Sequence, residues 1–399
     1  MTDFRYFALP DRIGEDFTAH NEMSRALWTA FSANRQARAP IRLNTNPRML
    51  MLDPVYNRKS LTYREYMTDP EVMGQCILEW LYWVRFLLPG DQEKGLPDTW
   101  HVHVDFQNFY DAAWFGGPVM FDEGQIPYAS PFLREDNKRM LFDRGLPGPF
   151  DGEWAERGVY FSDYFENKSV RGWTFLGRPV VPARIASFML TDGPFTTAAA
   201  LRGPANLCMD LLLDPDYAHE LLDYVTDSII ARMRAWRDYL GHPPEIPDWV
   251  AADDSVEMLS TDQYREFVLP RHRRLYDMFS PDVPRGIHLC GNAQHLFPLL
   301  RDELNVTTFD TGFPVDFGRF RREMGKDVLL SGGPRAPLFV EDNPESLLRE
   351  TERILKSGIL DGGRFILQEG NNLPPCAPLI YCEDFYRQGI VLQAKGSRH

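Results

Sequence analysis

From Val181 onward, short apolar runs alternate with amphipathic segments in a regular rhythm, and few folds accept that pattern. Val181 to Leu190, Trp249 to Ala252, Gly286 to Leu289, Val306 to Phe309, Val328 to Leu330 and Phe365 to Leu367 read as strands. Helical stretches lie between them. The clearest follows Asp214-Pro215, where Leu222, Val225, Ile229, Met233, Trp236 and Leu240 step by 3, 4, 4, 3 and 4, the stripe of a helix that buries one face. Thr261 to Phe279, Asn292 to Leu304, Pro344 to Lys356 and Tyr381 to Gln393 read likewise. Such alternation predicts parallel strands joined by crossover helices. With an earlier strand at His101-Val102-His103-Val104-Asp105, about eight units result, which favours one (β/α)8 TIM barrel over a doubly wound sheet.

The chain reads as a single domain spanning residues 1–399, with two additions. Residues 1–95 form a helical extension in which Glu65 to Leu88 carries a dense apolar run after Pro70. Residues 125–180 are rich in proline, glycine and aromatics and show little periodicity. They read as a long irregular insertion or cap over a site, because long loops in compact domains are usually functional.

Charge narrows the partners. The 57 acidic residues outnumber the 43 basic ones, for a net −14, and they are spread along the chain. That argues against nucleic acid and leaves a small-molecule substrate or a protein partner. The opening Met1-Thr2-Asp3-Phe4-Arg5-Tyr6 has no signal-peptide core, and no apolar stretch approaches the roughly 18 residues of a membrane span. The five cysteines, Cys76, Cys208, Cys290, Cys376 and Cys382, are scattered, which argues against a disulfide framework. A cytoplasmic location is the expectation, and the oligomeric state is open, a homodimer included.

In a TIM barrel the carboxyl ends of the strands face the active site, and His288, Cys290, Asp253, Asp254, Asp310 and Glu369 all fall at such ends. His288 and Cys290 stand two apart in Ile287-His288-Leu289-Cys290-Gly291-Asn292, so on a strand they project the same way. Imidazole and thiolate are both good zinc ligands; the alternative is a core cysteine beside a satisfied histidine. Asp253 and Asp254 are adjacent, so at most one faces the centre while the other caps the next helix. His101-x-His103 invites a second metal reading, but among the later histidines only His288 lies at a strand end. The pair therefore reads as lining the barrel interior or holding neighbouring carboxylates. Phe106, Phe109, Tyr110, Trp114 and Phe115 either stack on a flat substrate or belong to the core. Gly332-Gly333-Pro334 reads as a tight loop.

Several segments, in order, resemble the uroporphyrinogen decarboxylase superfamily over about residues 115 to 385. Phe115-Gly116-Gly117-Pro118-Val119-Met120-Phe121 looks like the family's Phe-Gly-x-x-Val-x-Phe hairpin, and Asp192-Gly193-Pro194-Phe195-Thr196 like its Gly-x-Pro-aromatic-Thr turn. Leu213-Asp214-Pro215, Leu259-Ser260-Thr261 through Phe267-Val268-Leu269-Pro270, and Gly370-Asn371-Asn372-Leu373-Pro374-Pro375 match further segments. The resemblance implies a TIM barrel and one of two activities. One branch decarboxylates porphyrinogens without a cofactor; the other transfers methyl groups between a corrinoid and an acceptor with zinc.

The His288-Leu289-Cys290-Gly291-Asn292 run is similar to the methyltransferase branch, whose His-x-Cys-Gly-Asn supplies two zinc ligands. The decarboxylase features are missing. Arg42-Leu43-Asn44-Thr45-Asn46-Pro47-Arg48 stands where that branch has Arg-Gln-Ala-Gly-Arg, and its aspartate, tyrosine and late histidine fall at Gln107, Ala200 and Asn371. The methyltransferase branch takes a third zinc ligand from a late Gly-Cys-Gly loop, where Asn371 stands here. Cys376, five residues on, and Glu369 are the substitutes.

The resemblance thus implies a zinc-dependent methyltransferase working with methylcobalamin carried by a corrinoid protein. Its expected metal ligands are His288, Cys290 and Cys376; its catalytic residues Asp254, Asp310 and Glu369; its substrate contacts His103, Gln107, Asn108, Phe195 and Asn371. A divergent decarboxylase or lyase on a carboxylated substrate, or a non-catalytic tetrapyrrole or corrinoid binder, is the alternative.

Overall fold

The computed structural model describes residues 4–396; Met1 to Asp3, at the start of the stretch inspected for a signal segment, and His399 lie outside them. Among the described residues the ten strands are β1 Trp100–Val104, β2 Val119–Met120, β3 Tyr128–Ala129, β4 Thr174–Phe175, β5 Arg178–Ala186, β6 Val250–Ala252, β7 Arg285–Leu289, β8 Val306–Thr311, β9 Leu329–Gly332 and β10 Phe365–Leu367. Strands β6 to β10 form one parallel sheet in unbroken chain order. A doubly wound sheet reverses its order at a switch point; none occurs along this run. Ile41 bridges Leu367 in parallel on the far side of β10, held by Arg42 N–H to Leu367 C=O at 3.0 Å and Leu367 N–H to Pro40 C=O at 2.9 Å. The N-terminal segment therefore lies beside the last strand.

β1 and β5 make a second parallel pair, with Trp100 opposite Val180. β4 folds back on β5 in an antiparallel hairpin turned by Leu176 and Gly177, both at positive φ (51° and 74°), as a two-residue turn between twisted strands requires. Helices connect the parallel strands as expected. Pro215–Tyr239 carries the chain from β5 to β6 and buries Leu222, Val225, Ile229, Met233 and Trp236. Leu240, the last of the predicted stripe, is its C-cap. The β6–β7 connection is a helix from Thr261 to Phe279 with a π-helical turn at Tyr264–Val268. Phe317–Met324 and the pair Pro194–Arg202 and Pro204–Leu213 are helices the periodicity did not single out.

Two expectations change. The stretch 125–180 is not irregular throughout: Glu153–Val170 is a helix of 18 residues. Its buried Trp154, Ala155, Gly158, Phe161, Ser162 and Phe165 form a helical stripe that packs against β1 and β5. It is the crossover between those strands. The preceding loop runs along the flanking helices, with Phe132 and Leu133 N–H both on Leu201 C=O at 3.0 Å and the Trp236 indole donating to Pro149 C=O at 2.8 Å. The N-terminal extension, helical at Thr18–Ser32, Arg48–Met51, Tyr63–Thr68 and Pro70–Phe86, also adds the extended segment at Ile41. Buried Asp91 locks that segment by accepting from both Arg38 guanidinium nitrogens, Ile41 N–H and the Tyr386 hydroxyl. Among the described residues, no helix is long and apolar enough to cross a membrane.

Candidate metal centre

Strand register assembles the site. Across the parallel sheet Ala252 pairs with His288 and His288 with Asp310, so the imidazole and the Asp310 carboxylate emerge side by side. His288 Nδ1 and Asp310 Oδ2 are 2.8 Å apart. The Gln368 amide donates to Asp310 Oδ1 at 2.6 Å and accepts from Arg42 Nε at 2.9 Å. A chain of polar contacts thus reaches from the N-terminal segment to His288 and fixes its ring.

With Nδ1 engaged, Nε2 faces Cys290 Sγ at 3.1 Å and Asp254 Oδ1 at 3.8 Å. One donor atom each from Asp254, His288 and Cys290 lies within 4.8 Å of the others, and this is the metal-capable group of three found among the described residues. A tetrahedral zinc with ligands at about 2.0–2.3 Å needs ligand atoms roughly 3.3–3.8 Å apart, so the set fits with small adjustment. Asp310 behind His288 supplies the carboxylate that orients metal-binding histidines. His288 and Cys290 are both shifted toward their protonated forms, so a metal would have to displace a proton from each. Burial alone would pull the His288 imidazole down, but the bonds to Asp310 and Cys290 and the charges of Asp310 and Asp254 outweigh it and hold it well above its ordinary value. Burial pushes the Cys290 thiol up, against the pull of His288.

The loop after β7 is shaped around the thiol. Cys290 N–H donates to Asp254 Oδ1 at 2.7 Å, and Asn292 N–H to Glu257 Oε2 at 2.8 Å. Between them Gly291 sits at φ 75°, and a Cβ there would lie 1.8 Å from Glu257 Oε2. Gly312 leaves room for Cys290: a Cβ there would approach Cys290 Cα to 2.9 Å and Sγ to 3.2 Å.

The two adjacent aspartates divide, but the buried one caps an earlier helix and not the next one. Asp253, fully buried, accepts from Phe195 N–H at 3.1 Å and Thr196 N–H at 2.7 Å, capping helix Pro194–Arg202 from outside it. His272, bonded in turn to the Tyr264 hydroxyl, lies 2.8 Å from Asp253 Oδ2. Asp254 turns to the site instead.

Of the remaining expected residues, Glu369 lies two residues beyond β10, completely buried, and accepts from Asn44 N–H at 3.0 Å. Asn371 has φ 91° and accepts from the Asn372 side chain at 3.1 Å. The other five expected residues are placed as follows. Cys376 is exposed, at φ 65°, with its thiol on Leu52 C=O at 3.8 Å; Asp254 completes the three-residue group instead. Phe195 is wholly buried in the core, so only its backbone serves the site. His103 lines a groove with Ser162, Phe165 and Glu166 of the crossover helix. Gln107, held at φ 51°, folds back so that its amide donates to Asp105 Oδ2 at 2.6 Å, while Asn108 is exposed.

Sequence reasoning left out Asp192, Gln368, Arg42 and Glu257 as site residues. Asp192 is partly accessible yet crowded by protein atoms. That desolvation, with the charges of Asp111, Asp254 and Asp253, pushes its carboxyl well above the usual range. Its place directly after a strand-like run was the available signal.

Parallel strands whose carboxyl ends gather a histidine, a thiol and carboxylates define an α/β protein with a candidate metal site. The uroporphyrinogen decarboxylase (URO-D) family model matches residues 178–386, just over half of the 399-residue chain, and the protein belongs to that family. A methylated-thiol–coenzyme M methyltransferase of Methanosarcina mazei is 30% identical over 182 residues, 45% of this chain and 46% of that protein. The match thus spans about half the length of the curated relative. The solved structure of a methyltransferase from Methanosarcina mazei superposes with a TM-score of 0.60 at 16% identity, covering 93% of this chain and 98% of the other; at that identity the likeness is one of fold.

Proposed function

We propose that the protein is a zinc-dependent methyltransferase that moves a methyl group between a small-molecule substrate or thiol and a corrinoid carried by a partner protein. The observation that carries this reading is the convergence of Asp254, His288 and Cys290, backed by Asp310. Three protein ligands is the number a catalytic zinc takes, its fourth position going to water or substrate. Zinc bound there would supply Lewis acidity that keeps an acceptor thiol deprotonated near neutral pH. Asp254 has two tasks, a ligand oxygen and an anchor for the Cys290 backbone. Asp310, Gln368 and Arg42 hold the imidazole in one orientation. Closure of the two parallel sheets into an eight-stranded barrel, with Ile41 beside β10, is part of the same reading and is supported by the unbroken strand order.

The test is direct. Zinc-loaded protein is incubated with methylcobalamin and a small thiol, and loss of the cobalt–carbon absorbance is followed. Turnover that requires zinc is expected, with no carbon dioxide released from a porphyrinogen above background. Porphyrinogen decarboxylation, or thiol methylation indifferent to zinc, would overturn the reading.

A further inference from the structure

One residue removed from the metal group, three buried side chains form a hydrogen-bonded line. His272 lies 2.8 Å from Asp253 Oδ2 through Nε2 and 2.7 Å from the Tyr264 hydroxyl through Nδ1. Asp253 also accepts from Phe195 N–H, Thr196 N–H and the Thr196 hydroxyl. A carboxylate met by three donors is an acceptor for the fourth, so Nε2 carries the ring proton and Nδ1 receives the proton of Tyr264. The helix is shaped for this contact. Residues eight apart in an α-helix point about 80° away from each other, yet the Tyr264 and His272 ring centroids are 5.7 Å apart. The π-helical turn at Tyr264–Val268 inserts one residue, so eight residues project as seven do in a regular helix and share a face.

The other end of the line reaches Asp254. The Thr196 hydroxyl that donates to Asp253 also accepts from Ser255 N–H at 2.9 Å, so the residues on both sides of Asp254 are tied to one threonine. Gly193 closes the joint, since a Cβ there would lie 2.3 Å from Ala252 O and 2.5 Å from Asp253 Cγ. The Asp254 side chain is itself 42% exposed. Its Oδ1 meets Cys290 N–H at 2.7 Å and His288 Nε2 at 3.8 Å, groups of the site itself. Its direction is therefore set by the backbone on either side. We propose that His272 and Tyr264 are positioning residues for Asp254: through Asp253 they fix the end of β6 and so aim a part-exposed carboxylate at the point that His288 and Cys290 share. This rests on the metal reading of the site. A carboxylate on a loose backbone gives up conformational entropy when metal binds, whereas one on a held backbone gives it up during folding.

Zinc affinity of the full chain, read by competition against a chromophoric chelator, tests this, with the folding of each variant checked by circular dichroism. His272→Leu should weaken zinc binding about 10- to 100-fold, the range for the outer partner of a metal ligand. Tyr264→Phe should weaken it about threefold to tenfold, the worth of one neutral hydrogen bond. His272→Gln, whose amide offers Asp253 a donor in place of Nε2–H, should recover most of the loss. The same substitutions are then made in Asp254→Ala, read at higher free zinc. There His272→Leu and Tyr264→Phe should each change affinity by less than about twofold, because the ligand they position is gone. Wild-type affinity in both single variants, or losses as large in Asp254→Ala as in the wild type, would overturn the positioning role and leave the metal reading standing. A wild type that binds no zinc would overturn both. Should His272→Leu not fold, Tyr264→Phe and its pair in Asp254→Ala still decide the matter.

Discussion

At the scale of single residues, the site depends on groups that hold other groups. Asp310 accepts a hydrogen bond from the imidazole on the side away from Cys290, so Asp310→Asn should weaken zinc binding about 10- to 100-fold, as loss of such a partner generally does, while circular dichroism stays unchanged. A competition titration against a zinc chelator reads this, and unaltered affinity would show that Asp310 does not orient a ligand. Gly291 is a sharper case. Any side chain meets both positive φ and the Glu257 carboxylate, so Gly291→Ala should destabilise the fold by about 1–3 kcal/mol and lower zinc affinity, measured by urea unfolding and by the same titration. His288 and Cys290 were legible in the sequence because strand periodicity alone puts them on one side. Asp254 as their third companion was not: the sequence offered Cys376 by chemistry, and only the fold shows that thiol at Leu52 C=O instead.

At the scale of elements, the strands of the parallel sheet were readable because buried runs of three to six residues bounded by turns leave little choice. The crossover helix Glu153–Val170 has an equally regular buried stripe, but proline, glycine and aromatics crowd both its flanks and conceal the period. The extended segment at Ile41 was invisible for a different reason. A single parallel bridge held in place by Asp91 is a long-range pairing with no local signature. Asp91→Ala strips partners from Arg38, Ile41 and Tyr386 at once, and breaking such a buried charged pair costs about 3–5 kcal/mol. Urea unfolding should show that loss, with hydrogen exchange at Ile41 and Leu367 accelerated. A loss under about 1 kcal/mol would mean that the N-terminal segment is held by packing alone.

For the whole molecule, one buried charge predicts a pH dependence. The Lys94 ammonium is desolvated and lies near Arg12 and Arg85, which brings its pKa down to about 7. The unfolded chain holds that proton up to about pH 10.4, so between pH 7 and 10 it binds more protons than the folded one and stability through this group rises with pH. Lys94→Met should therefore be more stable than the wild type at pH 6 to 7, with the gap narrowing toward pH 9 to 10. A gap that is constant with pH would show that Lys94 keeps its ordinary value in the fold.

The metal group sits at one end of the sheet and the hydrophobic core does not run through it, so zinc should change stability by no more than ligand binding supplies, about 3 kcal/mol at a hundredfold excess over Kd. The central claim is that Asp254, His288 and Cys290 together hold that zinc, and zinc per chain in wild type, Asp254→Ala and Cys290→Ser after equilibration against a weak chelator tests it most directly. About one zinc per wild-type chain is expected, with both variants folded and nearly empty. A wild-type protein that stays metal-free yet transfers methyl groups, or a Cys290→Ser protein that keeps its full complement, would contradict the account.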